Sequence, residues 1–120
     1  MSDQLLERVR QWVEHDPDPA TRDELTELSN AAASGDEPAL AELDSRFSGP
    51  LVFGTAGLRA AVGAGESRMN RAVVIRASAG LASFLTERSG PAPLVVVGCD
   101  ARHGSEDFAA DAAAVFSAAG

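Results

Sequence analysis

The residue types best suited to chemistry fall in the run Gly54-Thr55-Ala56-Gly57-Leu58-Arg59. Two glycines let the backbone approach a ligand closely, Thr55 offers a hydroxyl and a backbone N–H, and Arg59 offers a planar fork that grips an anion through paired hydrogen bonds. Arg68, Arg71 and Arg76 follow, so that four arginines fall within eighteen residues among few acids. Guanidinium groups in that density suit phosphate recognition. By spacing alone, a glycine-bearing turn with a surface arginine looks the same, and both readings stand.

A second candidate is Gly98-Cys99-Asp100-Ala101-Arg102-His103-Gly104-Ser105. Asp100 either orients Arg102 by an ion pair or forms a structural clamp with it. His103 reads more readily as a loop residue than as a base. Ser105 lacks the G-x-S-x-G elbow of a nucleophile and reads as a helix N-cap. Cys99 has no thiolate-stabilising partner in the sequence and reads as a buried or spectator thiol. Gly63-Ala64-Gly65 lacks the preceding strand and third glycine of a dinucleotide fingerprint, and no P-loop is present.

The elements that must position these loops fall into two segments. In residues 1–48, Leu5, Leu6, Val9, Trp12 and Val13 recur at helical spacing. Asp18-Pro19 starts a second helix through Leu25 and Leu28 to about Ala33, and Asp36 and Pro38 start a third marked by Leu40, Leu43 and Phe47. From Ser48-Gly49-Pro50 the pattern changes. Leu51-Val52-Phe53 predicts a short strand entering the first candidate loop, and residues 60–69 read as a surface loop. Asn70 then caps a helix whose apolar face is Val74, Ala77, Leu81, Phe84 and Leu85, stopped by Gly90-Pro91. Residues 94–98, LVVVG, predict a strand covered on both faces, and a last helix runs from Ser105 to Gly120.

Strand, helix, strand, helix implies a right-handed, mainly parallel βαβα unit. Both candidate loops leave the carboxyl ends of its strands, where open α/β sheets gather ligands. Two strands are too few for such a sheet, which predicts that the unit is incomplete and the chain part of a longer protein. The fold class expected is α/β: a helical N-terminal extension (1–48), then a partial α/β domain (49–120).

Composition narrows the function. The 120 residues are 45% hydrophobic and 23% charged, ordinary globular values that exclude wholesale disorder. The net charge of −8 sits in residues 1–48, which hold twelve Asp/Glu against four Arg, whereas 49–120 hold six against six. An acidic surface of that kind repels phosphate backbones, so no nucleic-acid partner is expected. A lone cysteine and two scattered histidines make neither an intramolecular disulfide nor a zinc cluster. The first sixteen residues carry acids where a secretory signal needs a basic flank, and no apolar run approaches a membrane span. A reduced, cytoplasmic protein with no membrane partner is expected.

Taken together, three blocks resemble the α-D-phosphohexomutase family of phosphoglucomutases and phosphomannomutases: residues 53–59 (FGTAGLR), 63–71 (GAGESRMNR) and 95–105 (VVVGCDARHGS). The helical segment with Trp12, Asp16-Pro17 and Asp18-Pro19 is similar to the extension of the phosphoglucomutase-2-like branch, which includes phosphopentomutases. The resemblance implies a four-domain isomerase, a phosphoprotein whose phosphoserine gives its phosphoryl group to a sugar phosphate and takes the other back from a sugar bisphosphate. It implies Mg²⁺ as cofactor and a sugar 1,6-bisphosphate as intermediate and activator. By matching, Arg59 is the catalytic arginine of the first domain. Thr55, Gly57, Arg59, Arg68 and Asn70 bind substrate or phosphate, and Asp100 and Arg102 support the loop that carries the serine.

The departures bear on activity. The family's T-A-S-H-N-P-type serine segment and D-G-D-x-D-R magnesium segment do not occur here, nor do its sugar-binding loop and fourth domain, so no metal ligand is assigned. Ala60 stands where a glycine usually follows the arginine, and Cys99 where a larger residue is common. The chain by itself is expected to be inactive. The alternatives are a phosphopentomutase of the same family, or a non-catalytic remnant that binds a sugar phosphate or another partner.

Overall fold

The computed structural model describes residues 2–120 as five helices joined by irregular chain: α1 (Ser2–His15), α2 (Pro19–Ala33), α3 (Glu37–Arg46), α4 (Arg71–Ser89) and α5 (Ser105–Ala119). They fall into two compact units, Met1–Asn70 and Arg71–Gly120.

In the first unit the helix starts follow from capping chemistry. Asp18 has extended backbone geometry, and its carboxylate accepts a 3.0 Å hydrogen bond from the Ala20 N–H, with Pro19 at the first helical position. Asp36 does the same for α3, accepting from the Ala39 N–H at 3.1 Å. Between α1 and α2, the buried Asp16 accepts from the Asp18 N–H at 3.0 Å and from the Thr21 hydroxyl at 2.6 Å. An acid that a hydropathy reading leaves in solvent therefore ties the α1–α2 corner together, its burial compensated by those two donors.

Val9, Leu25 and Leu43, one from each helix, are the largest fully buried side chains. Leu5, Phe47 and Ala64 complete the core, with Leu6, Trp12, Val13, Leu28, Ala32 and Leu40 packed around it. Trp12 meets Phe47 edge-on, ring centroids 5.9 Å apart and planes at 86°, the arrangement that the aromatic quadrupole favours. Ala64 comes from the stretch expected to be a surface loop. Both it and Gly65 are buried, because that loop closes the open end of the three-helix core.

In the second unit α4 packs against α5, and Arg71 donates through Nε and Nη2 to the two carboxylate oxygens of Asp111 at 2.9 and 3.1 Å. The buried residues of α4 are Ala72, Val73, Ser78 and Ala82, whereas Leu81 and Phe84 of the expected apolar face are exposed. That face is the one a sheet would cover, and among the described residues no sheet forms.

The two expected strands do not form among the described residues. Residues 51–53 and 94–98 contain no β-strand; the only pairings among the described residues are isolated bridges, Gly54 with Gly57 and Val62 with Met69. Extended chain becomes a strand only by exchanging hydrogen bonds with a neighbour, and neither segment acquires one. Val52, Leu94 and Val96 are consequently 83%, 94% and 90% exposed. β-branched composition marks a tendency, and the ladder itself is a tertiary event. The helix N-cap at α5 is Gly104, at φ +83°, and Ser105 is the first helical residue. Cys99, expected to be buried or a spectator, is exposed.

Candidate functional site

The first candidate loop is a tight turn. The Gly54 N–H donates to the Gly57 carbonyl at 2.9 Å and the Gly57 N–H donates back to the Gly54 carbonyl at 3.3 Å, leaving Thr55 and Ala56 at the exposed tip. Closing the turn in so few residues puts Gly57 at φ +96°, a conformation natural to glycine. Arg59 follows two residues later, is exposed, and has no hydrogen bond or ion pair with any described residue. A guanidinium beside a glycine turn, its donors unengaged among the described residues, has the chemistry to pair with an anion.

Residues 60–70 form the second part of the site. The Met69 N–H donates to the Ala61 carbonyl at 2.8 Å and the Gly63 N–H donates to the Met69 carbonyl at 3.1 Å, closing the loop on itself just after Arg59. Inside it, the buried Asn70 donates from Nδ2 to the carbonyls of Gly63 and Gly65 at 2.9 and 2.8 Å. Arg68 lies over the end of α3, donating from Nη2 to the Ser45 hydroxyl at 2.9 Å and from Nη1 to the Ser45 carbonyl at 3.3 Å.

The loop rests on the helical segment through residues that motif reading missed. Glu24 Oε2 accepts from the Ala64 N–H at 3.1 Å, and Arg46 Nη1 donates to the Ala64 carbonyl at 3.1 Å. Glu24 and Arg46 are also paired with each other, and Arg46 Nε donates to Glu42 at 2.9 Å. The Ser67 N–H donates to the Arg46 carbonyl at 2.8 Å, and the Ser67 hydroxyl to the Gly49 carbonyl at 2.6 Å. The Glu42–Arg46 spacing of four was legible as a helix-surface pair, but nothing in the sequence joins Glu24 to Arg46 or either to Ala64.

The other two candidates belong to the second unit. Arg102 Nε donates to Asp100 Oδ2 at 2.8 Å and the Arg102 N–H to Asp100 Oδ1 at 3.1 Å, while the Asp100 N–H donates to the Ser105 hydroxyl at 3.0 Å. The Arg102 guanidinium, aided by the Arg102 backbone N–H, holds the Asp100 carboxyl down at about 2, and the same pairing raises Arg102. Thr55, Gly57, Arg59, Arg68 and Asn70 thus share the first unit, and Asp100 and Arg102 form a closed pair in the second. Among the described residues no three His, Cys, Asp or Glu side chains converge, so these residues form no metal-binding cluster of their own.

A model of the family described as phosphoglucomutase/phosphomannomutase, alpha/beta/alpha domain I, matches residues 50–120, the stretch that holds every one of these candidate residues. The chain belongs to that family. Among curated proteins it is 39% identical over 112 residues to a phosphoribomutase of Saccharomyces cerevisiae, a match covering 93% of this chain and 17% of the relative. It is 35% identical over 104 residues to a phosphopentomutase of Mus musculus, covering 85% and 16%. It is 40% identical over 63 residues to a phosphoglucomutase of Staphylococcus aureus (strain USA300), covering 52% and 11%. The chain therefore spans about a sixth of the length of the first two of these relatives. No solved structure matches it.

Proposed function

We propose that residues 49–120 supply the arginine loop of domain I in a phosphoglucomutase or phosphomannomutase, an intramolecular phosphotransferase that acts on a hexose phosphate through a phosphoserine and a sugar bisphosphate. The observation that carries this reading is Arg59, an exposed guanidinium with no partner among the described residues, set just after the Gly54–Gly57 turn inside the family-matched stretch. A phosphoryl group in transfer spreads negative charge over its outer oxygens, and a positioned guanidinium stabilises that charge more as it develops. Thr55 and Gly57 would contact phosphate from the turn. Arg68 would add a second positive charge, with Asn70 shaping the loop beneath it. Asp100 and Arg102 would brace the loop that presents the serine, and a parallel α/β sheet would cover the exposed apolar face of α4. The phosphoserine and the Mg²⁺ ligands would come from sequence outside these residues, so these 120 residues by themselves would have no turnover. Residues 1–48 would be a helical extension. The location would be cytoplasmic; among the described residues no helix is long and apolar enough to cross a membrane.

A pentose phosphate is the second reading of the substrate. The phosphoribomutase and phosphopentomutase matches cover 93% and 85% of the chain, so both must take in part of residues 1–48, whereas the phosphoglucomutase match covers 52%. The test is an assay of a mutase polypeptide that contains these residues against the 1- and 5-phosphates of ribose and the 1- and 6-phosphates of glucose and mannose. Interconversion of at least one pair is expected. No conversion of any pair, with bisphosphate and Mg²⁺ supplied, would overturn the reading.

A further inference from the structure

We infer that Glu24 and Arg46, both in the helical segment 1–48, are positioning residues for Arg59, and that this segment is thereby a working part of the phosphate site. The inference rests on the function proposed above for Arg59. Its basis is a continuous path of contacts inside one compact unit. Glu24 takes the Ala64 N–H at 3.1 Å and Arg46 gives a hydrogen bond to the Ala64 carbonyl at 3.1 Å, so the two ends of one ion pair satisfy both backbone groups of a fully buried residue. Two acidic or basic groups alone would not specify this arrangement; the backbone pair between them does, because a donor and an acceptor must be met at once.

From Ala64 the constraint passes both ways along the loop. The Ser67 N–H is fixed on the Arg46 carbonyl at 2.8 Å, and the Met69 N–H donates to the Ala61 carbonyl at 2.8 Å. Ala61 is two residues from Arg59, so the chain downstream of the arginine is anchored while its guanidinium stays uncommitted. Gly65 closes the fit. A Cβ at that position would lie 2.9 Å from both the Cβ and the carbonyl oxygen of Arg46, so the loop is pressed onto α3 as closely as a backbone allows. Arg8 reinforces the same edge, donating to the Phe47 carbonyl at 2.8 Å and to Glu66 at 3.3 Å.

The test is amide hydrogen exchange, read by NMR on the 120-residue chain, with Glu24→Ala, Glu24→Gln and Arg46→Lys. Loss of a charged acceptor should speed exchange at Ala64 and Met69 by roughly tenfold to a hundredfold. The amides of Val9 and Leu43 should change little. Glu24→Gln keeps a neutral acceptor for the Ala64 N–H and should recover part of the protection. Uniform acceleration across Val9, Leu43 and Ala64 would mean a merely structural contribution and overturn the inference, as would unchanged exchange at Ala64. If Glu24→Ala does not fold, Glu24→Gln and Arg46→Lys give the same local-against-global comparison. In a mutase polypeptide carrying these residues, Glu24→Ala should lower turnover with partial rescue by Glu24→Gln; full turnover in Glu24→Ala alongside a dead Arg59→Ala would overturn the inference. An active Arg59→Ala would instead retire the function proposed for Arg59, while the exchange pattern still decides whether Glu24 and Arg46 fix the loop.

Discussion

Replacing Gly65 by alanine tests the packing of the 60–70 loop on α3 most sharply. Its φ of +117° lies where side-chain-bearing residues are strained, at a cost of about 1–3 kcal/mol. The added Cβ would also meet the Cβ and carbonyl oxygen of Arg46 at 2.9 Å, and neither atom can rotate away. Relief requires α3 or the loop to move, at a further cost of about 1–3 kcal/mol. The sum, about 2–6 kcal/mol, is comparable with the whole stability of roughly 3–10 kcal/mol expected for a unit of this size. Gly35 is the internal control. It has φ +96° and nothing within 4 Å of its added Cβ, so Gly35→Ala carries the backbone strain without the collision. Trp12, the only tryptophan, sits at the edge of the three-helix core against Phe47, so its fluorescence reports unfolding of this unit. Gly65→Ala should melt at least about 4 °C below Gly35→Ala, the shift that roughly 1 kcal/mol produces in a domain this small. Equal midpoints would refute the close approach of loop and helix.

Three other outcomes are expected. Leu43→Ala removes a fully buried side chain at the meeting of three helices and should cost about 2–5 kcal/mol, read by urea unfolding through Trp12. Leu94→Ala, at a residue 94% exposed, should stay within about 0.5 kcal/mol, and a larger loss would show that residue 94 is covered. The Asp100 carboxyl is held below its ordinary value, so the order its pairing gives residues 100–105 is complete above pH 3.8 and fades as pH falls toward about 2. Its NMR titration midpoint should move back up toward 3.8 in Arg102→Ala, and an unmoved midpoint would contradict the pairing.

Much of the helical architecture was legible because it is written locally. Asp18-Pro19 and Asp36-Glu37-Pro38 each combine a capping carboxylate with a proline that has no N–H to lose, and both start helices where expected. Leu5, Val9 and Trp12 fall on one face because helical periodicity needs no information from elsewhere in the chain. The turn at Gly54–Gly57 was equally visible, since two closely spaced glycines allow a closure that few other residues can make. The LVVVG stretch is legible only in part: its residues favour a strand, and the family match is to an alpha/beta/alpha domain, but a ladder depends on a partner that its own sequence does not name. Ala64 carries no periodic signal at all between two glycines, yet it is part of the core. The pairing of Glu24 with Arg46 joins residues twenty-two apart on different helices, information held only by the packing of α2 against α3. The candidate site was thus legible in its glycines and arginines, and illegible in what holds them.

The central claim is that Arg59 serves phosphoryl transfer, and kinetics of Arg59→Ala in a mutase polypeptide containing these residues test it most directly. Turnover should fall by about a hundredfold to a thousandfold, as expected for removal of one positioned charge-stabilising donor. The unfolding free energy should stay within about 1 kcal/mol of the unaltered protein, because Arg59 is exposed and has no hydrogen bond or ion pair among the described residues. Near-normal turnover in the folded variant would contradict the account.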